Sequence, residues 1–173
     1  EQEWAPWRTS SLDRMGREQS DRLGVFLSQQ PFRPEVFFSS TLARAFQTAK
    51  RVRAQLGIRQ LPLELELFDE TLSWRDFRGR DMNPFHRYLE SGSSSTFAIV
   101  AHINVIQFFL ARLLGMREQD AQSANRYGNI LHSGFCVVEL PVGLQNSASL
   151  WLWNATPHLP DDLRTDEVSS WDD

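Results

Sequence analysis

Three side chains of this sequence, Arg44, Glu70 and His102, are of the types that phosphoryl chemistry requires. A guanidinium and an imidazole can hold phosphoryl oxygens, and a carboxyl group can protonate the leaving group. Each residue alone is explained at least as well by a surface or structural role. The three together predict a phosphate site, provided that the fold brings them to one place.

Each of these side chains follows a segment with the composition of a short β-strand. The predicted strands are apolar, or alternate apolar with acidic residues, and they cover 35–38, 61–67 and 96–101. In open α/β sheets, ligands bind at the carboxyl ends of the strands, where loops and helix N-termini converge. We therefore expect Arg44, Glu70 and His102 to lie on one rim of a sheet.

Apolar residues spaced three and four apart predict helices between the strands. The predicted helices cover 11–29, with Ser10 or Ser11 as N-cap, about 42–56, with 39–41 as caps, and 105–114. A short helix is expected at 85–89, and two further strands at 135–140 and 149–153. This alternation predicts one α/β domain over 1–173, a three-layer sandwich with a mostly parallel sheet and helices on both faces. Residues 1–10 would form an extended lead-in and 160–173 a tail.

The composition excludes several classes of protein. A single cysteine, Cys136, excludes an internal disulfide and a cysteine-ligated zinc site. A net charge of −4 supplies no positive field for nucleic acid. No apolar run approaches the roughly 20 residues of a membrane span. The motifs of nucleophile-elbow serine hydrolases and of P-loop nucleotide binders do not occur in the sequence.

Four segments resemble motifs of the histidine phosphatase, or phosphoglycerate-mutase-like, superfamily. Residues 11–19 are similar to its L-T-x-x-G-x-x-Q helix start, 39–49 to S-S-x-x-x-R-A-x-x-T-A, 101–106 to the second-histidine motif, and 153–159 to the N-D-T-x-H-L ending. The motifs occur in the order of the family. The resemblance implies a phosphoglycerate-mutase-like fold and a phosphatase that hydrolyses a phosphoester.

Within the superfamily, the chain most resembles the mitochondrial phosphoglycerate-mutase-like serine/threonine protein phosphatases. The resemblance rests on H-I-N-V-I at 102–106, where that subgroup has H-A-N-V-I, and on segments 85–88 and 159–162. It implies a mitochondrial location, a phosphorylated protein or a small phosphoester as substrate, and a homo-oligomer or a subunit of an assembly.

The resemblance also implies a phosphohistidine mechanism without a metal or another cofactor. A first histidine attacks phosphorus, while Arg44 and His102 neutralise the phosphoryl oxygens. Glu70 is the expected acid and base, although Asp69 lies beside it in the sequence. Further polar contacts to the phosphate would come from Asn104 and Ser133.

The sequence departs from the family pattern at the nucleophile. It contains no Arg-His-Gly motif, and the family order places this motif before the first predicted helix. We therefore expect the nucleophilic histidine and the first strand upstream of Glu1. Local structural roles are expected for His86, His132 and His158, because none of them follows a buried strand. A second departure is Ile103, a β-branched residue where the family has a small one.

The missing motif leaves a second hypothesis open, a non-catalytic scaffold or assembly subunit that keeps the fold. Trp4, Trp7 and Trp171 lie in segments without a core of their own, so they could anchor a partner. An upstream strand that ends in Arg-His-Gly would favour the enzyme.

Overall fold

A computed structural model describes residues 10–91, 96–116, 131–140 and 148–164 of the chain. Two compact units make up the structure. The first contains Glu1–Glu70 and Gly92–His102, and the second contains Thr71–Ser91 and Ile103–Asp173.

A parallel three-stranded sheet forms the centre of the first unit. Its strands are β1 (Val36–Ser39), β2 (Leu63–Glu64) and β3 (Phe97–Val100), in the order β2-β1-β3. β1 pairs with β3 along its whole length, from Val36 opposite Phe97 to Ser39 opposite Val100. The ring of Phe38, which is 1% exposed, meets those of Phe68 and Phe97 edge to face. The predicted parallel sheet is confirmed.

Helices α1 (Arg14–Ser28) and α2 (Ala43–Gln55) pack against each other in the same unit, and α2 also contacts β1 and β3. Their apolar stripes are buried, as the spacing of leucine, alanine and valine predicts. The helices approach each other tightly at Gly24, where an added Cβ would lie 2.7 Å from the Cβ of Gln55. The absence of a side chain at Gly24 thus permits the tight contact between the helices.

The predicted caps of both helices are wrong. α1 begins at Arg14 rather than Ser11, and Asp13 is its N-cap, with a carboxylate that accepts from the Gly16 N–H at 2.7 Å. Ser11 instead accepts a hydrogen bond from Gln47 of α2. α2 has Leu42 at its N-cap position and no side-chain cap. Ser11 and Ser40 were available as caps in sequence, but their hydroxyl groups have tertiary partners.

The predicted strand 61–67 is much shorter in the structure. Only Leu63–Glu64 pairs with β1, at the edge of the sheet, and a 3₁₀ turn, Glu66–Phe68, follows. In this turn Leu67 and Phe68 are buried. The apolar residues at the end of the segment therefore enter the core through a turn, whereas period-two alternation suggested a strand.

The described residues of the second unit form three α-helices, a pair of strands and a 3₁₀ helix, Asp161–Leu163. Its elements are α3 (Trp74–Arg78), α4 (Asn83–Glu90), α5 (Ile103–Leu113), β4 (Phe135–Glu139) and β5 (Ser149–Ala155). β4 and β5 are antiparallel. Aromatic rings of α3, α4 and α5 pack edge to face or tilted in one cluster, formed by Trp74, Phe77, Phe85, Phe108 and Phe109.

The sequence did not predict α3 (Trp74–Arg78). Ser73 caps this five-residue helix by accepting from the Asp76 N–H at 3.2 Å. Among the described residues, no helix combines the length and the apolar composition that crossing a membrane would require. The turn at 141–147 and residues Trp4, Trp7 and Trp171 lie outside the described residues.

Candidate active site

The carboxyl ends of β1 and β3 lie side by side in the first unit. The Ser40 N–H, just beyond β1, donates to the Val100 carbonyl at the end of β3 at 3.0 Å. Parallel pairing in this register brings the residues that follow the two strands to the same rim of the sheet. Ser40 and His102 meet there, and Arg44 lies in the first turn of α2.

Arg44, Glu70 and His102 converge at this rim, as predicted from the sequence. Arg44 Nη2 donates to Glu70 Oε2 at 3.0 Å and lies 3.1 Å from His102 Nδ1. His102 Nδ1 is also 3.1 Å from the same Glu70 oxygen. The side chain of His102 is 5% exposed, whereas Arg44 and Glu70 are 24% and 21% exposed. The arrangement is a largely buried cluster with one face open to solvent.

Ser40 holds the opposite side of the His102 ring. It is fully buried, and its Oγ lies 2.9 Å from His102 Nε2. Both ring nitrogens of His102 therefore have polar neighbours within the first unit. The sequence analysis assigned Ser40 only to helix capping. Its position at a strand end, in the segment that resembles a family motif, was the signal that could have assigned it to the site.

Asp69 does not share the position of Glu70, although the two are adjacent in sequence. Its carboxylate accepts from Ser40 Oγ at 2.8 Å, from the Thr41 N–H at 2.7 Å and from Thr41 Oγ1 at 2.7 Å. Asp69 therefore ties the 3₁₀ turn after β2 to the loop after β1. Of the two carboxylates, Glu70 is the one in contact with Arg44 and His102.

The charges around Glu70 shift its proton affinity. Burial alone would raise the pKa of this carboxyl group. The hydrogen bond and charge of His102, together with those of Arg44, outweigh burial and hold the pKa of Glu70 below its ordinary value. Glu70 is accordingly a carboxylate at neutral pH in the unliganded site, ready to accept a proton.

The other predicted phosphate contacts belong to the second unit. Asn104 is half-buried in the first turn of α5, and Ser133 is a half-buried residue with a φ of 57° before β4. Their approach to a phosphate group stays a prediction.

The remaining histidines also lie in the second unit. His86 is half-buried in α4 and His132 is exposed. The His158 ring packs on Phe135 with the ring centroids 6.0 Å apart. Burial, and to a lesser degree the positive charge of Arg164, lower the pKa of His158 to about 4 despite an opposing hydrogen bond with the Ser133 backbone.

The site can hold an oxyanion and exchange protons with it. Arg44 and His102 face one carboxylate oxygen, a geometry that a phosphoryl oxygen could also satisfy. The described residues contain no cluster of three or more histidine, cysteine, aspartate or glutamate side chains suited to a metal ion. The side chains that supply positive charge in this cluster are Arg44 and, when protonated, His102.

One protein-family model matches the first part of the chain. Residues 1–71 match the model of the histidine phosphatase superfamily (branch 1). The matched segment includes Arg44 and Glu70 and ends at Thr71, the first residue of the second unit. No curated protein matches the chain.

Solved structures with a similar fold include phosphatases and hydrolases. A mycobacterial glucosyl-3-phosphoglycerate phosphatase in complex with inorganic phosphate is 17% identical, with a TM-score of 0.72, over 92% of this chain and 94% of that one. A mycobacterial hydrolase is 18% identical, with a TM-score of 0.70, over 94% and 89%. A phosphoserine phosphatase mutant from Entamoeba histolytica, in complex with phosphoserine, is 16% identical, with a TM-score of 0.64, over 87% of each chain.

The predicted fold is confirmed: the chain has the phosphoglycerate-mutase-like α/β fold of these neighbours. The family match over residues 1–71 agrees with the motif resemblance in the first part of the chain. The comparisons do not identify a subgroup or a substrate.

Proposed function

We propose that this protein is a phosphatase that hydrolyses a phosphoester through a phosphohistidine intermediate. The observation that carries the proposal is the convergence of Arg44, Glu70 and His102 within 3.1 Å of one another at the carboxyl end of the sheet. The sequence motifs around these residues and the match of residues 1–71 support the same reading.

Arg44 and His102 are the proposed groups that hold the phosphoryl oxygens. In the unliganded site they are directed at Glu70 Oε2, so a phosphoryl oxygen would compete with this carboxylate for the same two partners. Glu70 would then lose part of its interaction with Arg44 and face a second negative charge. Both changes raise the pKa of a carboxyl group, which allows Glu70 to take up a proton and deliver it to the leaving group.

After the leaving group departs, the proposed role of Glu70 reverses. Its carboxylate accepts a proton from the water that attacks the phosphohistidine, and phosphate is released. The attacking histidine is a separate residue in the proposal, expected in an Arg-His-Gly motif ahead of Glu1. His102 is suited to charge stabilisation, because Ser40 contacts one of its nitrogens and Arg44 and Glu70 face the other.

Among the phosphatases of this superfamily, we propose the protein serine/threonine class with a mitochondrial location. The support is the sequence H-I-N-V-I at 102–106 and the two flanking segments described above. We also propose assembly into a homo-oligomer or with another subunit. Large apolar side chains exposed in the described residues, Trp151 at 69% and Leu72 at 85%, support such contacts.

The test uses the full-length protein and two substrates, p-nitrophenyl phosphate and a serine-phosphorylated peptide. We expect turnover, and an acid-labile phosphoenzyme after a rapid quench with radiolabelled substrate. Replacing Arg44→Ala or His102→Gln should reduce kcat/KM by at least about 100-fold, because each removes a group that stabilises charge on the phosphoryl oxygens. Retention of the wild-type rate in either variant would contradict the proposed roles.

Matched controls separate loss of chemistry from loss of structure. Arg51→Ala removes an arginine that is also ion-paired, to Asp21, but lies between α1 and α2. His86→Gln removes a half-buried histidine of the second unit. Both controls should retain turnover within about threefold of the wild type, and circular dichroism should show all four variants folded.

A non-catalytic scaffold is the second candidate. The observation that favours it is the absence of Arg-His-Gly from this sequence. A full-length protein that binds phosphate at Arg44 but neither turns over substrate nor forms a phosphoenzyme would support the scaffold over the enzyme.

A further inference from the structure

The hydroxyl group of Ser40 has three polar neighbours inside the first unit. Its Oγ lies 2.8 Å from Asp69 Oδ1, 3.1 Å from the Leu42 N–H and 2.9 Å from His102 Nε2. Ser40 is 0% exposed, so among the described residues these groups determine how its single hydrogen is used.

Only one assignment of that hydrogen satisfies all three contacts. A hydroxyl donates once and accepts twice, a backbone N–H can only donate, and an ionised carboxylate can only accept. The Ser40 hydrogen therefore points to Asp69, and Oγ accepts from Leu42. The remaining acceptor position of Oγ requires a hydrogen on His102 Nε2.

This assignment leaves Nδ1 as the atom of His102 that gains and loses a proton. When the ring is neutral, Nδ1 accepts from Arg44 Nη2 at 3.1 Å. When the ring is charged, Nδ1–H donates to Glu70 Oε2 at 3.1 Å. Proton exchange is thereby confined to the side of the ring that faces the proposed phosphate position.

We propose that Asp69 is a positioning residue that acts through Ser40 to keep a proton on His102 Nε2. Thr41 fixes the orientation of the Asp69 carboxylate, because its N–H and its hydroxyl donate to the two different oxygens. Without Asp69, the Ser40 hydroxyl could rotate and donate to Nε2, which would move the proton of neutral His102 to Nδ1. The tautomer is a property of the resting structure, whereas its effect on turnover rests on the proposed phosphatase function.

The tautomer can be read directly from NMR spectra of the protein labelled in its histidine side chains, with His102 assigned by comparison with His102→Gln. The wild type should show the Nε2–H form of neutral His102. Asp69→Ala and Ser40→Ala should each give the Nδ1–H form or a mixture of both forms.

Two conservative variants serve as matched controls. In Asp69→Asn, the amide oxygen can still accept from Ser40 and the Thr41 N–H while the amide nitrogen donates to Thr41 Oγ1, so the Nε2–H form should persist. Thr41→Val removes one hydrogen bond to Asp69 without altering Ser40, and it should also keep the Nε2–H form. A structural defect in the loop would instead affect Asp69→Asn and Asp69→Ala alike.

Turnover supplies an independent measurement. Asp69→Ala should lower kcat by about 10-fold or more with KM within about twofold of the wild type, and Asp69→Asn should restore kcat to within about threefold. If no form of the protein has phosphatase activity, the proposed function fails, and the NMR result still decides the role of Asp69.

Two results would overturn the inference. One is an Nδ1–H form in the wild type, which needs no variant at all. The other is an unchanged Nε2–H form in whichever of Asp69→Ala and Ser40→Ala is shown by circular dichroism to be folded.

Discussion

Glu70 is the residue in contact with both groups that can carry positive charge in the site. Its Oε2 occupies the position toward which Arg44 Nη2 and His102 Nδ1 converge. A carboxylate in this place compensates the two groups in the unliganded site, and in the proposed reaction it must give way to the phosphoryl group. The same side chain thus opposes phosphate binding and, in the proposed reaction, transfers the proton.

Glu70→Gln separates these two roles. The amide keeps the size of the side chain but loses the negative charge and the ability to transfer a proton. We expect kcat to fall by at least about 100-fold, while inorganic phosphate inhibits more tightly because a competing carboxylate is absent. Steady-state kinetics with phosphate as inhibitor measure both effects. A kcat near that of the wild type, or weaker phosphate inhibition, would contradict this prediction.

His158 should make the stability of the protein depend on pH. Its pKa of about 4 in the folded state lies below the ordinary value of 6.5, so the unfolded chain binds the extra proton between these values. The contribution of the neutral His158 ring to the free energy of unfolding is fully present above about pH 6.5. It is lost as the pH falls toward 4. After allowance for the partial exposure of the ring, the loss between pH 7 and 5 should be about 1 kcal/mol.

Urea unfolding of the wild type and of His158→Gln at both pH values measures this contribution. The wild type should lose more free energy of unfolding than the variant on going from pH 7 to 5. Equal losses of unfolding free energy in the wild type and in His158→Gln would show that His158 does not contribute to the pH dependence of stability.

The sequence predicted which residues form the site, but it did not predict which of them contact each other. Arg44, Glu70 and His102 could be identified because each follows a predicted strand, and parallel strands end at the same edge of a sheet. The different partners of Asp69 and Glu70 could not be predicted, because they depend on the direction of the chain in the 3₁₀ turn Glu66–Phe68. Adjacent carboxylates point to different partners there.

At the scale of elements, the contact between α1 and α2 supports α2, which carries Arg44 in its first turn. The helices meet at Gly24, where an added Cβ would lie 2.8 Å from the Val52 carbonyl oxygen and 2.7 Å from the Gln55 Cβ. Backbone atoms cannot rotate away as a flexible side chain can, so a larger residue must push the helices apart.

Gly24→Ala should therefore destabilise the protein by about 2–3 kcal/mol, despite the better helix propensity of alanine. Gly79→Ala is the matched control, since the added Cβ would be 3.6 Å from its nearest atoms and the residue has a φ of −74°. The control should change stability by less than about 1 kcal/mol. Urea unfolding of both variants measures the difference, and equal stabilities would contradict the tight contact at Gly24.

The element boundaries show where sequence patterns stop being informative. The apolar stripes of α1 and α2 predicted both helices, because their buried faces repeat over several turns. Their first turns were mispredicted, because Ser10, Ser11 and Thr41 are all chemically competent caps and only the tertiary partners decide between them. The two-residue strand β2 lies below the length at which alternation carries information.

At the scale of the whole molecule, the chain of 173 residues has the fold of phosphatases to which it is 16–17% identical. The cluster of Arg44, Glu70, His102, Ser40 and Asp69 lies entirely within the first unit, which also contains most of the segment that matches the family. Anion binding by this cluster is therefore expected to stabilise the folded first unit.

Inorganic phosphate should raise the melting temperature, since it binds the folded site and not the unfolded chain. At about 100 times its dissociation constant it should add about 2.7 kcal/mol, or roughly 5–10 °C for a chain of this length. Arg44→Ala should abolish the shift, whereas Arg51→Ala should keep it, because Arg51 pairs with Asp21 away from the rim of the sheet. Differential scanning calorimetry in phosphate and in sodium chloride of matched ionic strength provides the measurement. An equal shift in Arg44→Ala and Arg51→Ala would place phosphate binding elsewhere on the protein.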